Sequence, residues 1–65
     1  MDDLEVEEGD LVQWGEAVFG KYGLISSPPE GVVRHVFKNG SIIAERNGRK
    51  VRLKLDEYWL LRKAF

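Results

Sequence analysis

The sequence predicts an all-β domain of five strands. The expected order is a first strand, a long first loop, a three-stranded meander, one short helical turn and a last strand. Three observations carry this prediction. Asn39-Gly40 and Asn47-Gly48 are hairpin signals on either side of one strand-like stretch. Arg49 to Leu55 alternates strictly, with Val51, Leu53 and Leu55 set against Lys50, Arg52 and Lys54. No segment has a long helical period, and Gly15, Gly20, Gly23 and Ser26-Ser27-Pro28-Pro29 punctuate the region between the first strand and the meander.

Residues 1–8 carry five acids and little to bury, so a frayed acidic segment is expected there, with residues 9–65 forming a single small domain. Gly9-Asp10 is a turn signal leading into Leu11-Val12-Gln13-Trp14, the first strand. Residues 15–30 are expected as an irregular loop pinned to the body by Val18, Phe19, Tyr22, Leu24 and Ile25. Gly31 to Lys38, Ser41 to Arg46 and Arg49 to Leu55 form the meander. Asp56-Glu57-Tyr58-Trp59 suits a single helical turn with Asp56 as its cap. Leu60 to Phe65 is then the last strand. Pairing back with Leu11–Trp14 lets it close a barrel and remove the sheet edges.

Two-residue turns at both Asn-Gly pairs fix a register. Phe37 then opposes Ile42, His35 opposes Ala44 and Arg34 opposes Glu45; beyond the second turn Glu45 opposes Lys50, Ala44 opposes Val51 and Ile42 opposes Leu53. Opposed residues share a face. The expected core face is Val33, His35, Phe37, Ile42, Ala44, Val51, Leu53 and Leu55. The expected outer face is Val32, Arg34, Val36, Lys38, Ile43, Glu45, Lys50, Arg52 and Lys54. A one-residue slip would turn five bases into the core, which makes the assignment costly to reverse.

This order resembles the SH3-like small β-barrels, in particular the Tudor/KOW-like group. The resemblance is carried by Gly9-Asp10-Leu11-Val12, Gly31-Val32-Val33, the Asn39-Gly40 hairpin and Val51-Arg52-Leu53-Lys54-Leu55-Asp56-Glu57, and covers roughly residues 9–64. It implies a five-stranded barrel and a binding role, with ligands in that group ranging from RNA and DNA to methyl-lysine, peptides and larger enzymes. No aromatic-cage motif for methyl-lysine stands at the usual loops.

At 65 residues the chain has room for one small core. It has no cysteine, which excludes disulfides, thiolate metal sites and cysteine nucleophiles, and its single histidine excludes an all-histidine metal site. Apolar runs are only a few residues long, and the acidic start lacks the basic and apolar regions of a signal peptide, so no membrane association and a cytoplasmic location are expected. His35 is read as a packed histidine. Ser26 and Ser27 are turn residues without a nucleophile elbow. Glu5, Glu7, Glu8 and Asp10 lack the spacing of a calcium loop and are read as solvated charge. Gly15, Gly20 and Gly23 are too widely set to cradle a phosphate. A non-enzymatic protein with no catalytic residue, no metal and no cofactor is therefore expected.

Net charge is −1, yet the charge is unevenly placed. Seven acids and no base lie between Met1 and Glu16, whereas seven bases and one acid lie between Arg34 and Lys54. The acidic start either leaves this basic ribbon free or neutralises it. A free ribbon is a nucleic-acid surface of Arg34, Lys38, Lys50, Arg52 and Lys54, binding RNA or DNA electrostatically. The alternative is a protein partner, with the chain as adaptor or accessory subunit. That partner would be engaged by Val36 and Ile43, directly opposed on the outer face in this register, and by Phe19 and Tyr22 in the long loop. The basic ribbon favours nucleic acid. The low isoelectric point and an outer face without stacking aromatics favour the protein partner.

Overall fold

The computed structural model describes residues 6–64. Short alternating stretches form seven strands: β1 (Leu11–Trp14), β2 (Val18–Gly20), β3 (Gly23–Ser26), β4 (Glu30–Val36), β5 (Ile42–Arg46), β6 (Arg49–Leu53) and β7 (Tyr58–Arg62). A single 3-10 turn, Leu55–Glu57, stands between β6 and β7. Five strands make one antiparallel sheet in the order β6-β5-β4-β1-β7, and β2 and β3 form a separate hairpin. The last strand returns to the first, as the sequence predicts. Val12, Val33, Ile42, Ala44 and Leu53 form the buried core, and Val6, Trp14, Val36, Val51, Tyr58 and Leu60 pack against it.

The second Asn-Gly turn forms as expected. Asn47 and Gly48 both have positive φ, at 53° and 81°, the backbone of a tight hairpin turn matched to strand twist. The β5–β6 register follows: Ile42 opposes Leu53, Ala44 opposes Val51 and Glu45 opposes Lys50.

The first turn differs. Val36, not Phe37, opposes Ile42, and His35 opposes Ile43 while Val33 opposes Ala44. An irregularity between Val33 and His35 absorbs one residue, and the turn is longer than two residues, closed by Phe37 N–H to Ser41 O at 2.8 Å. The two-residue turn would have buried the His35 imidazole beside Ala44 and Val51, at a cost of about 1–3 kcal/mol for an unpartnered polar ring. The bulge avoids this. It turns Val36 inward against the core and sends His35 and Phe37 to the outer face.

Four further expectations are corrected. The sheet is open: among the described residues β6 and β7 are its edges. Lys54 ends the alternation instead of extending it. Its N–H donates to the Glu57 carboxylate at 2.8 Å and its carbonyl accepts the Glu57 N–H at 2.9 Å, so groups a closing ladder would use hold the 3-10 turn. Leu55, expected in the core, is consequently exposed. The helical turn is one residue earlier than predicted, and Tyr58 and Trp59 belong to β7. The region 15–30 is not wholly irregular but carries the β2–β3 hairpin, whose side chains are exposed throughout instead of being pinned to the body.

The segment expected to fray lies outside the described residues at 1–5. From Val6 onward the chain is engaged, because Val6 packs on the core and Asp10, expected in solvent, is fully buried. The Asp10 carboxylate accepts N–H groups of Glu7 and Ala64, each at 2.8 Å, and the Lys63 ammonium at 3.0 Å. It thereby ties the turn before β1 to the segment after β7. Burial raises the Asp10 pKa, but the backbone donors of Ala64 and Glu7 and the charge of Lys63 outweigh it and hold the carboxyl below 3.8. Tyr58 ties β7 to the β4–β5 turn through its hydroxyl, which donates to Gly40 O at 2.7 Å, and burial pushes its pKa up.

Gly31 tests this packing. A Cβ there would lie 2.5 Å from the Glu45 carbonyl oxygen and 3.0 Å from Trp14 Cη2. The oxygen is backbone, so the strands must separate locally. Gly31→Ala is expected to cost about 2 kcal/mol, seen as a lower urea midpoint with an unchanged slope. An unaltered midpoint would show that β4 and β5 are looser than described.

Candidate nucleic-acid interface

The meander presents its charged side outward. Alternation along β6 sends Lys50 and Arg52 outward, opposite Glu45 and Ile43 of β5. Arg34 joins them from the irregular part of β4 and pairs with Glu45, Nε to Oε1 at 3.1 Å. Both partners are partly solvated, so this bond sets side-chain direction more than stability. Glu45 thus takes up Arg34, which restrains one of the expected phosphate-binding bases.

The bulge adds what the predicted outer face lacked. The Arg52 guanidinium lies over the Phe37 ring, 4.6 Å from its centroid, and His35 meets Phe37 edge-on with ring centroids 4.5 Å apart. Ile43 sits between them in register, opposed to His35 on one side and Arg52 on the other. The result is a planar cation and two rings on a basic sheet face. Lys38 is exposed in the turn after β4, where Asn39 Oδ1 accepts the Ser41 N–H at 2.9 Å. Lys54 is exposed at the end of β6, and Arg52 and Lys54 line one hollow with Asn39, Ser41, Leu55 and Asp56.

The five bases read from the sequence therefore fall in one region, three on the strand face and two at its ends. The other four predicted residues separate. Ile43 stays on the outer face, half-buried. Val36 does not oppose it and packs against the core. Phe19 and Tyr22 lie on the β2–β3 hairpin, 70% and 94% exposed.

No protein-family model matches the chain, and neither a curated protein nor a solved structure matches it.

Two residues that sequence reasoning placed in the core, His35 and Phe37, belong to this surface. The signal for them was the imidazole itself, since a register that buries an unpartnered polar ring is suspect on energetic grounds. The acidic start bears on the site as well. Among the described residues, Glu7 and Asp10 meet Lys63, at 3.9 and 3.0 Å, and not the basic face. No group of three potential metal ligands converges among the described residues, and none of their helices is long and apolar enough to cross a membrane.

Proposed function

We propose that this chain is a non-enzymatic binding module that takes nucleic acid on the outer face of β4, β5 and β6. Arg34, Lys38, Lys50, Arg52 and Lys54 supply phosphate contacts, and Arg52 stacked on Phe37 supplies a flat cationic surface for a base. The observation that carries this reading is the β4 bulge, which places Phe37 and His35 among the bases. A face of Lys and Arg alone would bind any polyanion; rings beside them favour an unstacked base. The strand order and the return of the last strand to the first support the resemblance to SH3-like barrels, here with the sheet left open.

The test is an amide NMR titration with a short single strand and a short duplex at low salt. Saturable shifts confined to 34–54 are expected, larger for the single strand and lost as salt rises. A well-dispersed spectrum that neither nucleic acid perturbs would remove this reading. The second reading, a protein partner, rests on the exposure of Phe19 and Tyr22, and a complex held by them would persist in high salt.

A further inference from the structure

The β2–β3 hairpin is an apolar arm. Val18, Phe19, Tyr22, Leu24 and Ile25 are 51%, 70%, 94%, 55% and 69% exposed. Phe19 opposes Leu24 across the hairpin, and Ile25 lies over Gly20, where a Cβ would come within 2.5 Å of its Cδ1. The two strands cover little more than each other, and a lone two-stranded hairpin is marginal in water. Its stem, by contrast, is fixed. Trp14 N–H donates to Pro29 O at 3.1 Å, Gln13 Nε2 to Pro28 O at 3.0 Å, and Trp59 Nε1 to Gln13 Oε1 at 3.0 Å. An arm held firmly at its base with apolar residues outward suits docking on another surface.

We propose that the occupant is a second copy of this chain, the arm of each protomer lying on the β7 face of the other. Three observations point to this occupant. The first is a receiving surface on the same molecule: Leu55, Trp59 and Leu61 are 64%, 43% and 42% exposed, and among the described residues β7 is an edge strand. Trp59 opposes Gln13 in β7, and Leu61 falls at the irregularity between Leu60 and Arg62, two residues further along the same strand. The second is continuity. Gln13 links the arm's stem to Trp59, so arm and receiving surface form one patch, as a self-complementary two-fold contact requires. The third is size. Arm and receiving residues together expose on the order of 800 Å², close to what each partner contributes to a stable interface. Between Val18 and Ser27 the only charge is Lys21, so like charges do not oppose the approach of a second arm. The contact uses β7 and the arm and meets the proposed nucleic-acid interface only at Leu55, which lines the hollow beside Arg52 and Lys54; its argument does not rest on the nucleic-acid reading.

The experiment is sedimentation velocity on the full chain from micromolar to millimolar concentration, at low and high salt. The expected result is a shift from 7.5 kDa to twice that mass, at least as strong in high salt. The double variant Phe19→Asp, Leu24→Asp is expected to stay monomeric, and at low micromolar concentration, below dimerisation of the parent, to melt at the parent's temperature, because the arm lies outside the core. Leu61→Glu, on the receiving strand, is expected to weaken association about tenfold or more. A parent that remains a monomer at millimolar concentration overturns the proposal and leaves the arm to a different protein. Dimerisation of both variants at the parent's concentration overturns it equally.

Discussion

Asp10→Ala is expected to remove roughly 3 kcal/mol of stability, a large part of what a domain this small holds. The carboxylate is fully buried and receives three donors from two distant segments. Truncation leaves the Glu7 and Ala64 N–H groups facing a space without an acceptor and removes the carboxylate 3.0 Å from the Lys63 ammonium. Residues before β1 and after β7 should then loosen together. Urea unfolding followed by tryptophan fluorescence measures the loss; amide exchange at Ala64 and Glu7 localises it. The pH dependence has a definite sign. The folded carboxyl titrates below the ordinary 3.8, so between those two values the unfolded chain binds more protons than the folded one. The stabilisation is complete above about 3.8 and is lost as pH falls through the folded value. Asp10→Asn keeps one acceptor oxygen and no charge, and its NH2 faces the donors that the other oxygen accepts. It should also destabilise, and it should flatten the acid limb of the stability profile. An Asn variant with the parent's acid limb would show that other carboxylates govern acid unfolding.

How far the sequence predicts this molecule depends on whether local chemistry settled each element. The Asn47-Gly48 hairpin was legible because its turn type, its alternation and its charge pairing agree, and β5–β6 pair residue for residue as derived. The Asn39-Gly40 hairpin carries the same dipeptide, yet β4 bulges, because the ideal register would have buried His35. That preference acts across strands and is invisible to a turn rule. Barrel closure failed for a related reason: the Lys54 backbone satisfies Glu57 locally, so alternation that looked like a strand up to Leu55 ends at Leu53. Asp10 in its local sequence has the pattern of a turn residue with a solvated charge, and no local pattern shows that Lys63 and Ala64 return to it. Lys50 and Arg52 of the outer face were legible since β6 alternation alone places them. Their aromatic company was not, because it depends on the bulge.

Arg52→Glu is expected to reduce affinity for a single strand by about tenfold or more at low salt, and to shallow the dependence of affinity on salt by at least one phosphate contact. Arg52 is exposed and opposes Ile43, so reversing its charge should leave folding intact. It removes two things at once: a cation over the Phe37 ring and a donor beside Lys54. Phe37→Ala separates them. It keeps every charge and deletes only the stacking surface, worth about 1–3 kcal/mol per base, so affinity should fall while the salt slope stays at the parent's value. Lys50→Ala should do the reverse, changing the slope by about one with a smaller loss of affinity. The pair of signatures matters more than either loss. If Arg52→Glu binds as the parent does, the face is not a polyanion site. If Phe37→Ala is silent while the charge variants act, the interface reads phosphates alone, and the bulge that brings Phe37 outward serves only to keep His35 out of the core.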